Sequence, residues 1–351
     1  MEGTKWADYI GSAPVNIETF TQHRREWSPV FENQRSAIGQ IFAAHQPKRI
    51  ACLGAGYLSD IPIFDFLRAG CQVHLVDWIP GVSRQGFKWS LIRSQGGQYS
   101  CQICHEDCDP TRFCAAFREP VKLPHRVCDN FAPSNDEFAW CEAYRQGEEP
   151  GFLEADVTAG RATGFAERIL RLMAASNSPQ QAIRKAITEC RKWSTISHPI
   201  DLKDDSMDFI TSSMVASQFD HEPYAYFVSR LAEKFGEENI QAKRERLEPI
   251  GEKLRSDLFQ IQIAGHVDEL YRVVNKTDGL VYFSVEIFRS VPERTDFFIV
   301  HGVPRLIELL SEKFFFDFQT IPPDRTLVQT DVGDGESVTI SLLLKPRSAS
   351  K

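Results

Sequence analysis

Four residues stand where a chain can hold a small polar ligand. Gly54, Ala55 and Gly56 end a short apolar run, and Asp77 ends the next one. In "RIACLGAGYLSDIPIFDFLRAGCQVHLVDW" an apolar run feeds a small-residue turn, an amphipathic stretch, a second apolar run and then the acid. Glycines let a ligand come close to the backbone. A strand that passes through them into a helix gathers backbone N–H groups and the positive end of the helix dipole at one spot. An acid about 20 residues further on, at the tip of the neighbouring strand, can accept both hydroxyls of a ribose. The stretch reads as a nucleoside cradle. The other reading is a tight turn followed by a solvated strand end.

Two further groups carry chemistry. The stretch "SQFDHEPYAYF" offers Gln218, His221 and Tyr224 as side chains that could orient or deprotonate a bound acceptor. The structural alternative is that His221-Glu222-Pro223 starts a helix and that Tyr224 packs in a core or cavity wall. Nine cysteines are present, six of them between Cys101 and Cys141. Cys101 and Cys104 have the spacing of a zinc knuckle, and Cys114 and Cys128 would complete a four-thiolate site, with Cys108, His105 and His125 as alternatives. The other reading is a loop of unliganded thiols. "CQICH" also spells a c-type haem-attachment pattern, but that reading requires an exported, haem-loaded protein, of which the sequence gives no sign.

The elements that must position these residues follow from periodicity. Residues 1–47 read as a polar-aromatic helical arm, broken near Pro29, that precedes the first strand. From residue 48 strands and helices alternate. "KRIACLGAG", "CQVHLVDW", "GFLEADVTAG", "MDFITSSMVASQF", "GLVYFSVEIF", "FFFDFQTI" and "SVTISLLLKP" are seven strands in order. "SDIPIFDFLRAG" is a helix with Ser59 or Asp60 near its start and Gly70 at its end. Alternation of this kind makes a mostly parallel sheet with helices on both faces. The last two strands are joined only by the polar "PPDRTLVQTDVGDGE", so the last one pairs antiparallel. The expected fold is a doubly wound α/β domain over residues 48–351, with a cysteine-rich insert at 98–150.

The seven-strand series from Lys48 to Pro346, with its antiparallel close, resembles the class I S-adenosylmethionine (SAM) dependent methyltransferases. "CLGAG" looks like the first motif of that family, and "HLVDW" like the second. The resemblance implies that Gly54, Ala55 and Gly56 cradle SAM, that Asp77 binds its ribose and that Trp78 packs on its adenine. "LEADVT" looks like the third motif, implying that Asp156 faces the adenine amino group and Val157 lines its face. "DFITSSMVASQF" looks like the fourth strand and its tip, implying that Ser212, Ser213 and Met214 lie near the methionyl end. Leu58 departs from the family's Gly-x-Gly-x-Gly at its last position, which bears on the loop's fine shape. A nicotinamide dehydrogenase is the rival for the turn, but "GAGYLS" lacks the small sixth residue of that fingerprint. The implied activity is methyl transfer to a small-molecule acceptor. Attack on the aminobutyrate chain of SAM, or a non-catalytic SAM-binding protein, are the alternatives.

The whole chain sets outer bounds. With 351 residues, 42% of them apolar and 25% charged, it is neither disordered nor fibrous. A formal charge of −8 argues against a nucleic-acid binder, which needs clustered Lys and Arg. No apolar run is long enough to cross a bilayer. An odd number of cysteines and a polar start favour reduced thiols and a cytoplasmic setting.

Overall fold

The computed structural model describes residues 5–11, 27–87, 113–114, 119–120, 150–193, 197–219, 221–291, 294–299, 302–321, 323–332 and 335–347. One sheet dominates the fold. Its strands are β1 (Arg49–Leu53), β2 (Gln72–Asp77), β3 (Gly151–Glu154), β4 (Phe209–Ser213), β5 (Leu280–Val291), β6 (Arg294–Ile299), β7 (Phe314–Asp317), β8 (Leu327–Val332) and β9 (Gly335–Pro346). The order is β8-β9-β5-β4-β1-β2-β3, with β6 on β5 and β7 on β9. β1 to β5 pair in parallel, and β9 runs antiparallel to β5, β7 and β8. This is a mixed α/β fold with a mostly parallel central sheet and a reversed last strand, as the sequence implies. The chain leaves β1 toward β2 and β3 on one side and returns to β4 on the other. The order therefore reverses between β1 and β4, where loops leaving a sheet open a crevice.

Among the described residues this sheet has nine strands where the sequence shows seven. β5 and β9 are each 12 residues long and run past the parallel core. Their overhanging ends recruit β6 and β8 as antiparallel partners. The connection expected to be merely polar thus contains β8, whose side chains alternate between exposed and half-buried positions. Its polar residues suit a strand with one wet face, and the Gly-Asp between the paired Val332 and Gly335 is a hairpin signal in the sequence.

The strands read as nearly continuous apolar runs because both faces are covered. On one face lie α2 (Ser28–His45) and α3 (Ile63–Arg68), whose Ala37, Ile38, Ile41, Phe66 and Leu67 pack on Ile50, Cys52, Leu75 and Phe209. On the other lie α8 (Arg244–Val273) and α9 (Val303–Lys313), packed on Ala51, Leu53, Ile210 and Phe283. A further helical layer joins α8 to α1 (Trp6–Gly11), α4 (Arg161–Ala174), α5 (Pro179–Trp193) and α6 (His221–Phe235); α7 (Glu237–Gln241) links the last of these to α8. Both described helices of the N-terminal arm are thus built into the cores.

Two prolines set local boundaries differently from the pattern. Pro29 lies in the first turn of α2, where a missing N–H costs nothing, so it starts the helix. Pro62 precedes α3 and biases Ile61 away from helical geometry, so the helix begins at Ile63 rather than near Ser59. Ser59 and Asp60 are left in the turn after β1, both buried.

Candidate functional site

The glycine turn closes on the end of β2. The N–H groups of Gly54 and Ala55 both donate to the Val76 carbonyl, at 2.9 and 3.0 Å. Gly56 N–H donates to Asp77 Oδ2 at 2.9 Å, and Ile79 N–H to Oδ1 at 3.0 Å. Asp77 is buried; burial pushes its carboxyl pKa up, against the opposing pull of these backbone donors. Trp78 N–H is a third backbone donor to the carboxylate, whose acceptor sites number about four, so room remains for one more donor. Gly54 takes φ 71°, and a Cβ built on it would lie 2.4 Å from Cγ2 of Val215, in the loop after β4. The two loops that flank the crevice therefore touch at this glycine. Leu58 takes φ 60°, the left-handed geometry that a third glycine would adopt without strain. Its buried side chain packs in the α2–α3 core and offsets a cost of about 1–2 kcal/mol.

The third-strand residues are bound into their own loop. Oδ1 of Asp156 accepts from Thr158 N–H at 2.8 Å and from the Thr158 hydroxyl, and Oδ2 accepts from Thr163 N–H at 2.8 Å. This ties the carboxylate to the first turn of α4, an arrangement that the sequence did not suggest. Val157 is buried, and its carbonyl accepts from His266 Nδ1 at 2.9 Å. With a proton on Nδ1, the neutral ring accepts the Ser212 hydroxyl at Nε2, 2.7 Å away. Full burial holds His266 well below the ordinary histidine range, at about 4. Ser212 thus faces α8.

Ser213 points the other way, as successive strand residues do. Its hydroxyl lies 3.1 Å from that of Ser284 on β5 and bonds the Asp60 carboxyl. Asp60 is buried, and burial raises its pKa against the pull of that hydroxyl. Met214, at the tip of β4, has φ 59° and donates its N–H to the Ser284 carbonyl at 3.0 Å. Its side chain packs with Trp27 and Val30 at the start of α2. Arg289 lies 4.3 Å over the Trp27 ring and bonds the buried Glu286 at 3.0 Å. A ladder of hydroxyls, Ser213, Ser284 and Ser341, crosses β4, β5 and β9 beneath Gln34 of α2. Sequence reasoning missed Asp60, Gln34 and Glu286. In sequence Asp60 reads as a helix start, and the other two are single polar residues in otherwise apolar patterns.

The loop after β4 separates the three catalytic candidates. Gln218 ends a short 3-10 turn, is exposed, and its amide reaches the Met214 carbonyl at 3.5 Å. His221 is exposed at the first residue of α6, 3.3 Å from Glu222, and that contact holds Glu222 below the usual carboxylate range. Tyr224 is turned into the helical layer: a Cβ on Gly251 of α8 would lie 2.8 Å from its hydroxyl. Three places along α6 from His221, its hydroxyl thus meets α8. Trp78 is half-buried and meets Trp6 of α1 edge-on, with ring centroids 5.4 Å apart. Trp6 and Tyr9 in turn pack on Tyr226, and the Tyr9 hydroxyl donates to Glu222 at 3.4 Å.

Cys101, Cys104, Cys128 and the alternatives Cys108, His105 and His125 lie outside the described residues, and of Cys114 only the backbone is described, in a two-residue strand. Among the described residues no group of three or more His, Cys, Asp or Glu is placed to hold a metal. Also among these residues, no helix is long and apolar enough to cross a membrane.

No protein-family model and no curated protein matches the chain. Solved structures that match the chain include the following two. The PH0226 protein of Pyrococcus horikoshii OT3 is 9% identical, with a TM-score of 0.36 over 98% of this chain and 100% of that one. The 1,6-didemethyltoxoflavin-N1-methyltransferase of Burkholderia thailandensis, with 1,6-didemethyltoxoflavin and S-adenosylhomocysteine bound, is 12% identical. Its TM-score is 0.35 over 94% of this chain and 85% of that one. Both likenesses are weak, and the functional reading rests on the site itself.

Proposed function

We propose that the chain is a SAM-dependent transferase that moves the methyl group to a small-molecule acceptor. The observation that carries this reading is the Gly54-Ala55-Gly56 turn, clasped by a buried Asp77 at the point where the strand order reverses. Gly54, Ala55 and Gly56 would meet the cofactor through their backbone, and Asp77 would accept from the ribose at the acceptor site its backbone donors leave. Trp78 and Val157 would flank the adenine. Ser213, Met214 and the adjoining Asp60 would face the methionyl end. When bound, SAM supplies a sulfonium carbon whose leaving group needs no proton.

The chain's own contribution is positioning. A nucleophile held at attack distance from the methyl needs little more than orientation. Gln218 and His221 stand at the mouth of the crevice, where they can orient an acceptor, and α1 covers Trp78 in the manner of a lid. The test is calorimetric titration with SAM, followed by a SAM-consumption assay over an acceptor panel with mass analysis of the product. A product heavier by one methylene supports methyl transfer. An aminocarboxypropyl product assigns the aminobutyrate chain instead, and absence of SAM binding overturns the reading.

A further inference from the structure

Arg289 points where the simple alternation of its strand would not send it. On β5, Tyr282 and Ser284 face α2 and the Asp60 cluster, while Val285 and Ile287 pack toward α8 and α9. A period of two would send Arg289 after Val285 and Ile287. A β-bulge prevents this. Thr339 of β9 pairs with Glu286, but its neighbour Val338 pairs with Phe288, so Ile287 is an extra residue in β5. A bulge re-aims the side chains that follow it. Arg289 accordingly shares a face with Glu286, donates Nε to its Oε1 at 3.0 Å and lies 4.3 Å over the Trp27 ring.

These contacts fix the guanidinium and leave its fork free. Trp27 covers one face. Glu286 takes only Nε, and the same Oε1 accepts the Ser337 hydroxyl at 2.7 Å, which anchors the carboxylate to β9. Among the described residues nothing bonds the two terminal nitrogens of Arg289. Its side chain is 38% exposed, so a ligand has room to reach them.

Principles of strand geometry and the packing around Trp27 place this group at the crevice. Ser284 is level with Ser213, the end of β4. Glu286 stands two residues further along β5, about 6–7 Å past that end. Trp27 packs with Met214 at the tip of β4, and the next residue, Val215, is the one that Gly54 meets. Arg289 therefore stands on the β5 wall, beyond the tip where the methionyl end of SAM would lie and beside the space left for an acceptor. A planar guanidinium with both terminal nitrogens free is suited to bind a carboxylate through two parallel bonds.

We propose that Arg289 holds a carboxylate of the acceptor, so that the chain acts on a small carboxylic acid. This rests on the SAM reading above. The methionyl carboxylate of the cofactor carries the same chemistry, and the experiment separates the two.

The full chain, saturated with S-adenosylhomocysteine, is titrated with benzoate, phenylacetate and butyrate, each compared with its own amide by ligand-observed NMR. At least one acid should bind about tenfold more tightly than its amide, the effect of a charge-assisted hydrogen bond. Arg289→Gln should bring that ratio to about one and leave affinity for S-adenosylhomocysteine within about twofold. Adding Glu286→Gln removes the partner charge as well, so the double variant keeps a neutral pair and should behave in the same way if the single variant does not fold. A parent that binds S-adenosylhomocysteine but prefers no acid to its amide overturns the inference alone, whether or not either variant folds. A preference that survives in the variants does the same. If Arg289→Gln weakens S-adenosylhomocysteine by about tenfold but leaves 5′-methylthioadenosine, which lacks the aminobutyrate chain, unaffected, the arginine serves the cofactor and the inference falls. A parent that binds neither nucleoside overturns the SAM reading, and this inference with it.

Discussion

Gly56 donates its backbone N–H to Oδ2 of Asp77 at 2.9 Å, joining the turn after β1 to the end of β2. One side chain thus holds the shape of the cradle and lines it. Asp77→Asn keeps one acceptor oxygen but sets an NH₂ against a backbone N–H. Affinity for S-adenosylhomocysteine should fall by about ten- to a hundredfold, and stability by about 1–3 kcal/mol. Titration calorimetry and urea unfolding read the two effects. Unchanged affinity would remove Asp77 from the site.

Gly54→Ala drives a methyl to within 2.4 Å of Val215 Cγ2 at a backbone angle that disfavours any side chain. The loop after β4 must shift, so binding of S-adenosylhomocysteine should drop by at least about tenfold. Adding Val215→Ala should restore little, because Val215 Cβ itself lies 2.6 Å from the added atom. Full recovery in the double variant would show that the contact is soft.

Gln218→Ala and His221→Ala alter exposed side chains, one in the loop after β4 and one at the start of α6. Both should keep affinity for the cofactor within a few-fold and lower kcat with the true acceptor by about tenfold, equivalent to about 1.4 kcal/mol. Tyr224→Phe, whose hydroxyl faces α8, should turn over like the parent. The reverse pattern would move the acceptor into the helical layer.

His266 gives folding a pH dependence with a definite sign. The unfolded chain takes up a proton near pH 6.5, which the buried ring refuses until about pH 4. The stability this contributes is full above 6.5 and is lost as pH falls toward 4, roughly 3 kcal/mol in all. The ring's hydrogen-bond partners, the Val157 carbonyl and the Ser212 hydroxyl, do not titrate. His266→Gln should flatten the slope of unfolding free energy between pH 6.5 and 4, whatever the acids contribute. An unchanged slope would place the titration elsewhere.

The cysteine-rich segment is tested by composition. Reduced, chelator-washed protein should carry about one zinc per chain if Cys101, Cys104, Cys114 and Cys128 form a site. Metal-free protein with four freely reactive thiols at those positions would return the segment to ordinary sequence.

Much of this was legible before the fold. Strands buried on both faces must be apolar throughout, so β1, β2, β4, β5 and β9 declared themselves in the sequence. Gly54, Gly56 and Asp77 could be read because a strand–turn–helix–strand unit puts them together through local chain geometry alone. β6 and β8 could not, since they depend on the overhang of strands distant in sequence.

Side-chain direction was the tertiary structure's to decide. Whether Asp156 faces a ligand or ties down α4 turns on the course of its loop. Whether Tyr224 meets an acceptor or α8 turns on how α6 is rotated. Asp60 gains its partner only when β4 arrives beside it from far along the chain. Periodicity reports which residues are buried, because burial follows from the repeat of one element. It is silent on what a buried polar group meets, because that partner belongs to another element.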